Sequence, residues 1–448
     1  MGAARVRRDT GVNPNLREQR AWYAYDFANS AFASTVVTLF FGPYLTTLAR
    51  TAAVDGFVHV LGLRISELAV WPYLVSISVL SQVVVLPLLG AIADYGRRKR
   101  EILAATALIG AGATAAMFFL EGGAFLLGCM LFFVANLAFG ASIVIYNAFL
   151  PEIATPAERD SVSSKGWGVG YLGGGLLLAL NLLLYMNTES LGITEGLAVR
   201  ISLASAGIWW AIFSLPTILV LRNRQPVKSK PPGQSLMTVG ARQLWHTLSK
   251  IRNYPQTLLF LLAYLIYNDA IQTVITMSAQ FGQEELKLPL STITSAILMV
   301  QFVAFGGAFA FNWIASRIGN KLAVMLALSI WCGTLIYVFL GVKSAAEFFV
   351  MAGIVGLVMG GSQALSRSIF SLMIPKGQEA EYFSIYEVSD KGTSWIGPLF
   401  FGLALQFTGN YRLAILSLIV FFLAGLWLLA RVDVRSAAIE AGNEPPPR

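Results

Sequence analysis

Twelve stretches of this chain are apolar for about twenty residues or more. They cover residues 22–48, 68–93, 102–120, 124–150, 166–186, 201–221, 256–282, 290–316, 322–341, 348–374, 382–407 and 413–430. A helix that crosses a bilayer needs roughly 20 mostly apolar residues. Within hydrocarbon, only helices and closed barrels satisfy their own backbone. Barrel strands would give segments of about ten residues that alternate in polarity. These runs are continuous, so the expected fold is all-α and polytopic, with twelve transmembrane helices. The least distinct boundary separates the third and fourth runs, where only Glu121, Gly122 and Gly123 intervene. Charged residues make up 12% of the chain, against about 25% in a soluble domain. That excludes a simple cytosolic enzyme, a nucleic-acid-binding domain and a disordered chain.

Lysine and arginine set the orientation, because loops on the cytoplasmic side retain them. With both termini in the cytoplasm, 25 of the 32 basic residues fall on that side. They cluster in the N-terminal tail, at 97–100 and between Arg222 and Arg252. Six lie outside (Arg50, Arg64, Arg200, Lys287, Lys343 and Arg412), and Lys391 falls within the eleventh run. This asymmetry accounts for the net charge of +8 without nucleic acid. The basic N-terminal tail and the long first run do not read as a cleavable signal. Cys129 and Cys332 sit inside apolar runs and read as packing residues. The expected location is a bacterial inner membrane.

The one long polar connection, 222–252, divides the runs six and six. Landmarks recur across it. Pro151 and Pro375 close the fourth and tenth runs, and Gly96 and Gly319 follow the second and eighth. SSKG ending at Gly166 matches VSDKG ending at Gly392. The offsets are 224, 223 and 226, which argues for two related, pseudo-symmetric six-helix halves. The implied organisation is a cytoplasmic tail (1–21), a first half (22–221), a cytoplasmic linker (222–255), a second half (256–431) and a cytoplasmic tail (432–448).

The loop after the second run reads GAIADYGRRKR, from Gly90 to Arg100. It resembles the loop signature of the major facilitator superfamily, whose architecture is also two six-helix halves joined by a cytoplasmic linker. Gly90 and Gly96 allow a tight turn at the membrane face. Arg97 and Arg98 suit the anionic headgroup region. Asp94 can meet a helix N-terminus or an arginine and act as a gating latch; in the superfamily that neighbour is the eleventh span. The second copy of the loop has Ser316 where the Asp would be. More specific are WYAYDFANSAFASTV from Trp22, YNAFLPEIA from Tyr146, FLLAYLIYNDAIQTVI from Phe260 and SRSIFSLMIPKGQEAEYFSIYEVSDKG from Ser366. Together they are similar to the vacuole-effluxer branch, which includes an autophagy-linked vacuolar amino-acid exporter of fungi. The resemblance spans essentially the whole chain. It implies transport of a small solute and points to amino acids.

Ionisable groups at membrane depth cost about 2.5–3.5 kcal/mol each on insertion scales, so each needs a reason. Asp269 lies half-way along the seventh run with Asn268 and Gln272 beside it. It is the leading candidate to carry a proton or hold a substrate amine; packing alone is the alternative. Asp26, with Asn29 nearby, lies close to the start of the first run, as a gate or a helix-end charge. Glu387 and Lys391 share a helical face in the eleventh run, and Asp390 points elsewhere. The pair either positions helices or forms a switch that substrate can break. Arg367 is the sole charge of the tenth run, either snorkelling to the surface or clamping an anion. Asn147 and Gln363 are further polar candidates. The superfamily lines its cavity with the first, fourth, seventh and tenth spans.

Function therefore reads as secondary active transport by alternating access, of an amino-acid-like solute with a proton as the candidate coupling ion. The alternative is a transporter-like sensor or scaffold that binds without translocating. Nucleotide-binding loops, HExxH and GxSxG are absent from the sequence, and His59 and His246 fall on opposite sides of the membrane. Neither an enzyme, a cofactor nor a metal site is expected, and the partners are solute, proton and lipid around a monomer.

Overall fold

The computed structural model describes residues 15–60, 62–95, 98–154, 159–224, 253–374, 386 and 394–443. In chain order the helices are α1 (Leu16–Ala31), a π-helical stretch (Phe32–Phe40), α2 (Phe41–Ala52), α3 (Val70–Tyr95), α4 (Lys99–Ala116), α5 (Phe125–Asn147) and α6 (Leu150–Ile153). They continue with α7 (Arg159–Met186), α8 (Glu195–Val220), α9 (Pro255–Glu284), α10 (Leu290–Ile318), α11 (Asn320–Leu340) and α12 (Ala345–Leu372). Last come α13 (Ile396–Thr408), α14 (Tyr411–Ser417), α15 (Ile419–Arg431) and α16 (Val434–Glu440). Among the described residues, ten helical stretches are long and apolar enough to cross a membrane, and two shorter apolar helices, Glu67–Val83 and Ile396–Thr408, lie where the second and eleventh runs fall.

Both described chain ends lie at one end of the bundle, the termini end; the opposite end is the far end. The N-terminal helices close around a buried aromatic set in which Phe132 stacks on Phe41 and edges onto Trp71. Phe32 and Phe139 pack on Trp210 beside it. In the C-terminal helices, α10 packs along α12, and α9 along α15. Exposed Leu, Ile, Phe and Trp side chains ring the outside, as a lipid-facing surface requires.

Two of the expected runs are not single regular helices. The first run is not one regular helix: Thr38 Oγ1 donates to the carbonyl of Ala33, five residues back. The β-branched run Thr35-Val36-Val37-Thr38 crowds its neighbouring turns, and the helix widens there to π. The eleventh run is not one continuous helix either. Ser394 and Trp395 form a turn, and α13 starts at Ile396. Pro398 suits the start, since its ring and missing N–H fit best in a helix's first turn.

The tail expected at 1–21 is already helical from Leu16, with Glu18 and Gln19 buried. The tail expected at 432–448 contains α16, which buries Ala437 and Ala438 against the bundle. Asn443 Nδ2 then donates to the carbonyls of Leu372 and Ile374. A hairpin, β1 (Phe57–Val60) with β2 (Leu63–Ser66), caps the far end between the first two apolar runs.

Candidate functional site

On the N-terminal side, Trp22 stacks on Tyr146, ring centroids 4.2 Å apart. The Trp22 indole N–H donates to the Tyr146 carbonyl at 3.0 Å. The Tyr146 hydroxyl donates to Asp26 Oδ2 at 2.7 Å. Asp26 is half-buried and packs over Gly166 of α7, where a Cβ would meet its Oδ2 and the Trp22 ring. Asn29, one turn deeper, is buried and leaves its Nδ2 without a partner. Asp26 is thus built into a joint between α1, α5 and α7.

On the C-terminal side, Asp269 is 1% exposed, half-way along α9. Its Oδ2 accepts the N–H of Gly397 at 2.7 Å, the second residue of α13. The first N–H groups of a helix have no partner inside it and carry a partial positive charge. Asp269 satisfies one of them from a neighbouring helix. The approach needs glycine: a Cβ at 397 would overlap Thr273 Oγ1 and come within 3.0 Å of Asp269 Oδ1. Asp269 Oδ1 itself is buried with no hydrogen-bond partner.

Asn268 is buried beside Asp269, and Gln272 is half-buried. Beyond Gln272, Ile275 and Ser278 line an apolar cavity with Thr38, Gln301, Met351 and Val355. Towards the termini end, Tyr264 stacks on Tyr386, centroids 4.3 Å apart, and Phe370 packs on the same ring at 5.0 Å. The Tyr267 and Ser366 hydroxyls share a hydrogen bond, and Ser366 donates onward to the Ser362 carbonyl.

The remaining candidates are dispersed. Asn147 is the exposed last residue of α5. Gln363 is half-buried on α12, and Arg367 is exposed near its end. Of the loop residues, Gly90 and Asp94 fall in the last turns of α3, and Arg98 precedes α4. The Asp94 side chain, Gly96, Arg97, Glu387, Asp390 and Lys391 lie outside the described residues.

Sequence reasoning missed a set of far-end ties between N-terminal and C-terminal helices. Arg50 reaches Glu284 through Nη2 at 2.7 Å and Nη1 at 3.3 Å, and Glu67 through Nε at 2.9 Å. Gln280 Nε2 donates to Thr46 Oγ1 and to the Leu68 carbonyl. The Gln406 side chain accepts the Ser66 N–H and donates to the Arg64 carbonyl. Nearer mid-depth, Ser76 Oγ donates to the Trp395 carbonyl at 2.8 Å. Arg50 and Glu284 lie 234 residues apart, so no local pattern could pair them.

The described helices thus form an apolar bundle with polar groups buried half-way along it and ties at one end. Solved structures agree on the fold. A bacterial homolog of the human lysosomal transporter Spinster, described as inward-facing and unoccupied, superposes with a TM-score of 0.66 at 14% identity, over 98% of this chain and 100% of that one. The D-xylose-proton symporter also reaches 0.66, at 12% identity, over 96% and 97%. The protein is a transmembrane transporter of the major facilitator superfamily, not an enzyme.

Within that superfamily the chain belongs to the family described as "Vacuole effluxer Atg22 like", whose profile matches residues 15–442. The "Uncharacterized MFS-type transporter YxiO" of Bacillus subtilis (strain 168) is 28% identical over 418 residues, covering 93% of this chain and 95% of that one. "Autophagy-related protein 22-1" of Phaeosphaeria nodorum is 27% identical over 529 residues, covering 97% and 93%.

Proposed function

We propose that the protein is a secondary active transporter that moves a small solute by alternating access between two six-helix halves. The observation that carries this reading is the set of far-end ties. Arg50–Glu284, Gln280–Thr46 and Gln406–Ser66 each join an N-terminal helix or hairpin to a C-terminal helix. Closure at one end, over polar residues at mid-depth, is what a carrier needs in one of its two states. Twelve spans, both termini in the cytoplasm, a bacterial inner membrane and a monomeric unit complete the reading, supported by the basic residues gathered at the termini end.

Amino acids are the favoured solute class, on the resemblance to vacuole effluxers. Asp269 is the favoured group for a proton or a substrate amine: it is acidic, buried and at mid-depth. Gln272 and Asn268 stand beside it as polar neighbours, and Asp26, held by Tyr146, is a further candidate as a gate among the N-terminal helices.

The test is uptake and counterflow of labelled amino acids in proteoliposomes containing the full chain, with and without a pH gradient. Saturable flux above empty liposomes is expected, and Asp269→Asn should remove the part driven by the gradient. Binding without flux for every solute that stabilises the protein would identify a sensor instead. For topology, an impermeant thiol reagent should fail to label Ser235→Cys in right-side-out vesicles; ready labelling would reverse the orientation.

A further inference from the structure

Asp269 does more than sit at mid-depth: it is the fastening of α13. Its Oδ2 holds the Gly397 N–H in the first turn of that helix. The same helix is tied to the N-terminal helices on either side of that fastening. Just before it, the Trp395 carbonyl accepts from Ser76 of α3. Near its other end, Gln406 clasps the Ser66 N–H and the Arg64 carbonyl of the hairpin. Between these points, Gly402 packs so closely on α3 that a Cβ would come within 2.7 Å of the Tyr73 ring. α13 is therefore a strut hydrogen-bonded to α9 at its start and to the opposite set of helices on either side, while Phe400 and Phe401 pack on Phe421 and Tyr411 of its own set.

The anchor on α9 depends on charge. An ionised carboxylate at a helix N-terminus makes a charge-assisted bond and meets the positive end of the macrodipole. A neutral carboxyl group keeps only the weaker hydrogen bond. One oxygen of this carboxyl group, Oδ1, is buried without a hydrogen-bond partner, so the grip on α13 rests on Oδ2 alone.

Among the described residues, the elements packed on α9 bring no second charge to this point. α13 has no titratable side chain, and neither does the π-helical stretch. On α15 and α12, Arg431 and Arg367 lie towards the termini end, and Glu347 begins α12 at the far end. Arg317 closes α10 at the termini end, and α16 carries Arg435 and Glu440 there. Arg50 of α2 is at the far end on Glu284. On α9 itself, the Tyr267 hydroxyl is engaged with Ser366, and the Tyr264 ring lies on Tyr386. Glu387, Asp390 and Lys391 lie outside the described residues.

We propose that Asp269 is a positioning residue that couples a proton to the far-end gate: ionised, it clamps α13 and keeps the far end closed; protonated on Oδ1, it loosens α13 and lets the far end open. The proposal rests on the transporter reading for its purpose, but its test needs no solute. Spin labels at Glu189→Cys and Lys343→Cys place one probe on each set of helices at the far end, in a Cys129→Ser, Cys332→Ser background. Distances are measured by pulsed electron resonance on the full chain in nanodiscs across a pH series.

The protein with native Asp269 should lose its short-distance population as pH falls. Asp269→Asn should give one distribution at every pH, matching the acid end of that series. Asp269→Glu should restore pH dependence with a moved midpoint. Gln406→Ala should lower the closed population at every pH and shift the midpoint upward, while keeping the pH dependence. A native distribution that ignores pH would overturn the proposal, as would an Asp269→Asn protein that keeps the native titration. If Asp269→Asn does not fold, an Asp269→Glu midpoint identical to the native one overturns it equally. Failure to find flux in liposomes leaves these distances as they are, so the two readings fail separately.

Discussion

At the scale of single residues, the tightest constraint falls on Gly397. It must be small because Thr273 and Asp269 occupy the space where a side chain would begin. Gly397→Ala therefore forces α13 away from α9, and overpacking of this kind costs about 1–3 kcal/mol. Thermal unfolding in detergent should show the loss, and Gly397→Ala with Thr273→Ala should recover part of it. If the single variant unfolds like the native protein, the close approach is not real. A companion expectation concerns Tyr146→Phe, which removes the hydroxyl held by Asp26. A hydrogen bond to a charged group is worth about 1.5–3 kcal/mol, and a loss below that range would mean that water replaces the phenol. Asp269 stood out in the sequence because an acid in an apolar run is conspicuous. Its partner did not: Gly397 lies 128 residues away and donates through its backbone, which no side-chain pattern records. Tyr146 was likewise invisible as a partner of Asp26, although both fall in the segments that carry the family resemblance.

At the scale of elements, the apolar runs gave the helices their places because a spanning helix is specified by composition over about twenty residues. What they did not give are the departures from regularity, which depend on one or two residues each. Thr38 turns part of the first run into a π-helix, and Pro398 suits the start of α13. The hairpin is only four residues a strand, too short to stand out beside spanning helices. α16 reads as tail in the sequence because it has seven residues and little periodicity. Its start is secured by Asp433, which accepts from the Arg435 and Ser436 N–H groups and the Ser436 hydroxyl. Those donors hold the Asp433 carboxyl below its usual value of 3.8, the Ser436 hydroxyl first. A depressed acid stabilises the folded form above its ordinary value, and that contribution fades as pH falls through the depressed one. The protection of the 434–440 amides, taken relative to their intrinsic exchange rates, should therefore hold near neutrality and fall in acid before that of the spanning helices. Asp433→Ala should lower that protection at all pH values. Equal protection in the variant and the native protein would show that docking of Ala437 and Ala438 alone holds the helix.

At the scale of the whole molecule, one ion pair among the described residues joins the two sets of helices at the far-end gate, Arg50 with Glu284. The Glu284 side chain is only 5% exposed and sits at the C-terminal end of α9, where the helix dipole disfavours a carboxylate. Arg50 offsets both penalties with two hydrogen bonds, and closes α2 at the end where a cation is favoured. It is itself 45% exposed, so the pair is worth more than an exposed one and less than a fully enclosed one. Exposed pairs contribute up to about 1 kcal/mol, and breaking an enclosed pair costs about 3–5 kcal/mol. A coupling energy of about 1–2 kcal/mol is expected from a double-mutant cycle of Arg50→Gln and Glu284→Gln, read as the closed fraction at the far end. Glu284→Gln alone should perturb closure less than Arg50→Gln alone. The first leaves a neutral amide in the protein and a solvated arginine. The second leaves a buried carboxylate with only Lys287, 3.6 Å away, to compensate. The same ordering should appear in accessibility: the variant that opens the far end more readily should react faster with impermeant far-side thiol reagents at a cysteine placed on Ser278, which lines the cavity. If the two single variants perturb closure equally and show no coupling, the gate is held by Gln280, Gln406 and apolar packing. The charges at Arg50 and Glu284 would then serve only to fix the ends of their own helices.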